Sequence, residues 1–148
     1  MQISEILSSD SVLCGQSCSS KKSTLEELSK LLADTDPSIS YIEVFDCLIA
    51  REKLGSTGLG KGVAIPHGRF KGGKKTIAAF IQLQHGINYD AIDDAPVDIL
   101  FALLVPEDST DEHLKILSHL AELFSNNETL EQLRSESSID RIYKILTG

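Results

Sequence analysis

VDILFALLV (Val97–Val105) is apolar at every position but Asp98. A strand with one wet face alternates apolar and polar residues. A run without alternation reads as a central strand covered on both faces. TIAAFIQL (Thr76–Leu83) is a second apolar run of strand length, and GVAI (Gly62–Ile65) is a shorter third one ending at Pro66-His67. Beyond these runs the apolar period becomes helical. Three helical patterns follow, at about 110–125, 127–136 and 138–147. Upstream, Ser23-Thr24-Leu25-Glu26 has the spacing of a capping box, and Leu25, Leu28, Leu31 and Leu32 continue it at helical spacing until Pro37 closes the element. A second helix is expected from about Ser40 to Lys53, with Tyr41, Phe45, Leu48 and Ile49 on its buried face. Residues 3–7 suit a short helical turn and Val12–Gln16 an extended piece. Helices, then strands, then helices predict an α/β fold: a mixed β-sheet flanked by helices on both faces, forming a single-domain sandwich over residues 1–148.

The chain has 148 residues, 41% of them hydrophobic and 24% charged, the balance of an ordinary soluble globular protein. No apolar run approaches the ~20 residues a membrane-spanning helix needs. MQISEILSSDSVL lacks the basic start and long apolar stretch of a signal peptide, so a cytoplasmic location without membrane insertion is expected. Cys14, Cys18 and Cys47 are an odd number in such a chain, which argues against a disulfide framework. Cys14 and Cys18 lack the downstream Cys/His pair of a zinc site. A net charge of −8 argues against nucleic acid as a partner.

That charge is unevenly spread. The segment Arg51–Lys75 (REKLGSTGLGKGVAIPHGRFKGGKK) holds seven of the 14 Lys and Arg residues and one of the 22 acids, so it carries +6 while the remainder carries −14. One histidine, His67, lies inside it. A cationic segment around a single imidazole in an acidic protein predicts a transient negative charge at that ring, with phosphate the first candidate. Pro66 fixes the backbone before the ring, and Gly68 is expected to turn the chain sharply and leave space beside it. An imidazole with a pKa near 6.5 offers a free nitrogen lone pair to phosphorus at neutral pH.

Gly55-Ser56-Thr57-Gly58-Leu59-Gly60-Lys61 has the G-x-x-x-x-G-K spacing of a nucleotide-binding loop, but Gly62 stands where that motif needs Ser or Thr. The loop also follows a helix and leads into a strand, the reverse of the motif's context. It can serve as a plain helix-to-strand turn, or the Ser56 and Thr57 hydroxyls and the loop amides can donate to an oxyanion; the two readings are compatible.

His113 is the fourth residue of a helix opening at another capping-box spacing, Ser109 to Glu112. It falls on the stripe formed by Ile116, Leu117, Leu120, Ala121 and Phe124. Most histidines on an apolar face are core residues. This one sits where a helix begins just after a central strand ends, the usual ligand position in α/β sheets, which makes it a candidate partner of His67. His119 is off the stripe and expected at the surface, and His85 in QHGINYD is expected in a turn.

LGSTGLGKGVAIPHGR, with Arg51 upstream and DEHLKILSHLAELF downstream, resembles the enzyme IIA proteins of the fructose/mannitol/nitrogen class of the bacterial phosphotransferase system. The likeness extends over nearly the whole chain. A chain of this length without transporter domains is most similar to the nitrogen-regulatory enzyme IIA (PtsN-type). The resemblance implies that His67 accepts a phosphoryl group from an HPr-like phosphocarrier, that His113 is the second histidine of the pocket, and that Arg51 is the arginine preceding the acceptor by sixteen residues. It implies regulation of targets in nitrogen and potassium metabolism, such as a sensor kinase or a potassium transport component. The alternative within the family is a sugar-specific enzyme IIA that passes the group to an enzyme IIB during carbohydrate uptake.

The mechanism expected is in-line transfer to Nε2 of a neutral His67 whose Nδ1–H is held by a backbone carbonyl. Arg51 stabilises charge, His113 donates to a phosphoryl oxygen, and Ser56, Thr57 and loop amides donate further; Gly68 lies beside the phosphate. Phe70, Leu54 and Leu59 are the expected apolar anchors for the carrier. No metal or other cofactor is needed, because donor and acceptor are both imidazoles. Two readings outside the family compete: a phosphate-independent binding module with a structural His67, and a metal-dependent hydrolase using His67 and His113, for which no ligand motif is present.

Overall fold

The computed structural model describes residues 2–148. Among these residues six α-helices, α1 (Ile3–Ile6), α2 (Lys21–Asp34), α3 (Tyr41–Glu52), α4 (Thr110–Ser125), α5 (Asn127–Ser135) and α6 (Ile139–Thr147), pack on a six-stranded sheet. The strands are β1 (Val12–Gln16), β2 (Gly58–Gly60), β3 (Val63–Ala64), β4 (His67–Phe70), β5 (Ile77–Ile87) and β6 (Val97–Pro106). Their order is β1-β5-β6-β3-β2, with β4 also paired to β6. β1 is parallel to β5, and β3 and β4 are parallel to β6, whereas the β5–β6 and β2–β3 pairs are antiparallel. The sheet is therefore mixed, as expected.

β6 is the central strand and is buried at every position except Asp98. Its side chains alternate between two apolar layers. Ile99, Phe101, Leu103 and Val105 meet α1, α4, α5 and α6. Leu100, Ala102 and Leu104 meet α2 and α3. Burying a large apolar side chain contributes roughly 1.5–3 kcal/mol, so this strand alone supplies much of the drive for closing both layers.

Several local expectations shift. α2 starts earlier than the Ser23 pattern suggests: Ser20 caps it, its hydroxyl accepting from the Ser23 amide at 3.1 Å while the Ser20 amide donates to the Ser23 hydroxyl oxygen. The inward residues of α3 are Val44, Leu48 and Glu52. Tyr41 is 41% exposed, lying under the Lys30 ammonium, and Phe45 and Ile49 are half-buried. On α4, Ile116, Leu120 and Phe124 face the core, but Leu117 is half-buried, Ala121 is exposed, and the Ser109 side chain makes no capping bond. His85 lies within β5 and not in a turn, and His119 is exposed.

The site is positioned by an interruption in the sheet. β3 and β4 run along the same side of β6, Val63 opposite Ile99 and His67 opposite Leu103. Between them lie Ile65 and Pro66. Proline has no N–H to give to a ladder, so regular pairing breaks there; its carbonyl still accepts from the Leu103 amide at 2.9 Å.

Candidate active site

His67 is the first residue of β4, directly after the break, and the chain continues as a strand without turning sharply. Strand alternation puts His67 and Arg69 outward and Gly68 and Phe70 inward. Gly68 is needed for close approach: a Cβ there would come within 2.6 Å of the Cys47 sulfur on α3. Phe70, expected as an exposed anchor, is buried.

The His67 ring is half-buried, and its Nδ1 is 2.7 Å from the Ile65 carbonyl oxygen. A carbonyl can only accept, so Nδ1 carries the proton and Nε2 keeps its lone pair. Burial lowers the pKa below the ordinary 6.5; the Ile65 hydrogen bond opposes this, and the Arg51 charge adds to it. The ring is therefore neutral near pH 7 and nucleophilic at Nε2.

His113 meets it edge to face, with ring centroids 5.3 Å apart. His113 is buried, and its Nδ1 has no hydrogen-bond partner among the described residues. Burial first, then the neighbouring His67, Arg69 and Arg51, push its pKa down to about 4. Arg51, Arg69, Lys71, His67, Gly68 and His113 line one cleft of about 850 Å³, which Leu54 and Leu114 also border. The Arg51 guanidinium is steadied by donating to the Gly55 carbonyl at 2.8 Å. Only part of the cationic segment collects here. Lys61 reaches away, donating to the Ser125 carbonyl and Asn127 Oδ1, and Lys74 and Lys75 act on Asp36.

The glycine-rich loop corrects an expectation. Ser56 Oγ donates to the Tyr89 carbonyl at 3.1 Å and accepts from the Gly58 amide. Thr57 is buried, its hydroxyl donating to Glu52 Oε2 and its amide to Glu52 Oε1. The Gly55 amide donates to the Glu52 carbonyl. Both hydroxyl protons and three loop amides are thus already committed inward, so the loop offers an anion far less than its composition suggests. Ser56 and Thr57 still line a smaller cleft of about 350 Å³ against His67. Sequence reasoning missed Arg69, Leu114 and Cys47 at the site. Extending the strand period through Arg69 would have put its side chain on the His67 face.

A rigid neutral imidazole among guanidinium groups is suited to receiving a phosphoryl group. The model of the family described as "Phosphoenolpyruvate-dependent sugar phosphotransferase system, EIIA 2" matches residues 5–148. The chain belongs to this family. It is similar to a "Nitrogen regulatory protein" of Pseudomonas aeruginosa, 40% identical over 146 residues that cover 99% of this chain and 95% of the relative. The crystal structure of the nitrogen regulatory protein IIA-Ntr of Neisseria meningitidis superposes with a TM-score of 0.93 at 46% identity, covering 98% of this chain and 99% of that one. The fold alone extends to the mannitol enzyme IIA of Escherichia coli, solved in complex with phosphorylated enzyme IIB, at a TM-score of 0.78 and 18% identity over 95% of this chain and 98% of that one. By family the chain is thus a phosphoryl-carrier component of the phosphotransferase system. No helix among its described residues is long and apolar enough to cross a membrane.

Proposed function

We propose that the chain accepts a phosphoryl group on Nε2 of His67 from the phosphohistidine of an HPr-like phosphocarrier and, by its phosphorylation state, governs regulatory partners in nitrogen or potassium metabolism. The observation that carries this is the pairing of His67 Nδ1–H with the Ile65 carbonyl, which leaves Nε2 unprotonated in a cleft lined by Arg51, Arg69 and His113. In the transfer, the Nε2 lone pair forms the new N–P bond as the carrier's N–P bond breaks and its imidazole leaves with that electron pair. Positive charge grows on the His67 ring, and the Nδ1–H bond to Ile65 strengthens as it does. Arg51 and Arg69 offset the charge on the equatorial phosphoryl oxygens. His113, with Nδ1 buried, turns its other ring edge to the phosphoryl group and donates from Nε2. The protein supplies the nucleophile, its orientation and the charge that offsets the phosphoryl oxygens.

The high identity to nitrogen regulatory proteins supports the regulatory role. Onward transfer to an enzyme IIB, the partner with which the mannitol protein was solved, is the sugar-type alternative. A phosphate dianion added to the cleft changes its charge and hence the partners it accepts. We place the protein in the cytoplasm, with residues 1–148 acting as one EIIA domain. Incubation with phosphoenolpyruvate, enzyme I and an HPr-like protein, followed by intact mass, tests the proposal. The wild-type chain should gain one acid-labile phosphoryl group and His67→Ala none; uptake by His67→Ala at the normal rate would refute the assignment.

A further inference from the structure

We infer that Glu52 is a positioning residue for phosphoryl transfer, acting through Thr57 on both the acceptor imidazole and Arg51; this rests on the proposed role of His67. Glu52 ends α3, next in sequence to Arg51, yet its side chain turns the opposite way, into the protein, and is 5% exposed. There it accepts the Thr57 amide at 3.1 Å and the Thr57 hydroxyl, and it pairs with Lys21 Nζ at 3.0 Å. Tyr89, fully buried, is 3.1 Å from the Thr57 hydroxyl oxygen, and the Lys21 ammonium lies 4.4 Å from its ring centroid. Burial holds the Tyr89 phenol well above its ordinary range, so it stays an O–H donor.

Two branches leave Thr57 for the reacting groups. Its carbonyl accepts the Ile65 amide at 3.1 Å, and the Ile65 carbonyl holds His67 Nδ1 at 2.7 Å. In the other direction, the loop preceding Thr57 presents the Gly55 carbonyl that fixes the Arg51 guanidinium at 2.8 Å. One carboxylate thus anchors the segment from which nucleophile and counter-charge are both aimed. An apolar contact could close the same loop, and replacing a buried ion pair by one is often no loss of stability. It could not fix the direction of an amide and a hydroxyl on a single residue, which a carboxylate does with its two oxygens. The same engagement keeps Glu52 from neutralising its neighbour: among the described residues Arg51 has no carboxylate partner. Transfer is sensitive to misplacement of about 1 Å, so loosening Thr57 should slow chemistry without weakening docking.

The test uses Glu52→Gln and Thr57→Val, which keep side-chain shape, with Thr57→Ser as the conservative control and thermal unfolding to establish that each variant folds. Without any carrier, nitrogen NMR of His67 reads its tautomer and the exchange of Nδ1–H. Both shape-preserving variants should exchange faster, and Thr57→Ser should match wild type. With the phosphorylated carrier, the maximal rate of uptake should fall about tenfold or more while the half-saturating carrier concentration stays within about twofold, and Thr57→Ser should restore the rate. In an Arg51→Ala background, Thr57→Val should cost a smaller factor than in wild type. Unchanged His67 spectra, an unchanged maximal rate, or a loss confined to half-saturation would each overturn the inference. A wild-type chain that takes no phosphoryl group on His67 refutes the function proposed above, and the carrier-free spectra then still decide whether Glu52 positions the ring.

Discussion

The imidazoles of His67 and His113 stand perpendicular, at 86°, with centroids 5.3 Å apart and one ring largely buried behind the other. Two cationic rings at that distance would repel each other in a site that already holds Arg51 and Arg69. Both are therefore held neutral: His67 below its ordinary 6.5 and His113 at about 4, burial being the larger cause in each.

Acidification should therefore destabilise the fold. A histidine with a depressed folded pKa binds fewer protons folded than unfolded, so stability is fully present above 6.5 and is lost as pH falls toward about 4 for His113. Each such group contributes a slope of at most about 1.4 kcal/mol per pH unit. Urea midpoints measured across that window should fall for wild type and fall less steeply for His113→Gln. Equal slopes would show that His113 titrates normally.

Arg51 contributes charge where phosphoryl oxygens are expected. Removing one preorganised donor of this kind costs on the order of 10²-fold in rate. Arg51→Ala should lose about that much in phosphoryl uptake from the carrier. Arg51→Lys should recover only part of it, because an ammonium lacks the fork that donates to the Gly55 carbonyl and to an anion together. Rapid-quench measurement with labelled carrier distinguishes the three proteins.

In the proposed transfer a phosphocarrier brings its own imidazole to Nε2 of His67, which would make the rim of the cleft its landing surface. Leu54 and Leu114 are 85% and 60% exposed on that rim, and Leu59 stands 45% exposed beside the smaller cleft. Exposed apolar side chains at a rim lose little stability when made polar, but a desolvated anchor loses affinity. Leu54→Asp and Leu114→Asp should each raise the half-saturating carrier concentration about tenfold, with thermal unfolding unchanged. Ile42, 57% exposed on α3 but outside both clefts, is the control position and should show no effect.

The sequence made the sheet legible because its strongest signal was non-local in cause but local in pattern. β6 is covered from both sides, and that alone removes polar residues from VDILFALLV. The last three helices were equally plain, each carrying apolar residues at helical spacing. Finer features failed where two patterns compete. Ser23-x-x-Glu26 has a capping spacing, but Ser20 and Ser23 make the reciprocal pair. Phe45 is the larger apolar residue on α3, yet the sheet receives Val44. His67, Arg51 and His113 could be nominated from charge, motif and helix position, whereas the commitment of Thr57 could not. Its partners Glu52 and Tyr89, and the Lys21 that pairs with Glu52, lie in separate parts of the chain, and nothing in the linear spacing of these three polar residues shows that they share a buried site.

Gly68 sets the packing beneath His67. It faces inward on β4 against α3, and an added Cβ would stand 2.6 Å from Cys47 Sγ, far inside van der Waals contact. The Cys47 sulfur is itself held, 3.3 Å from the Arg69 carbonyl, and burial pushes its thiol pKa up, so it remains a neutral S–H donor there. Gly68→Ala must therefore move α3 away from β4 or rotate the thiol out of its bond. Overpacking of this kind costs about 1–3 kcal/mol. Cys47→Ala removes the colliding atom at the cost of one small half-buried group. In a double-mutant cycle read by denaturant unfolding, Gly68→Ala should cost much less in the Cys47→Ala background than alone, a coupling of about 1 kcal/mol or more. Additive losses would mean that the strand, and not the sulfur, resists the methyl group.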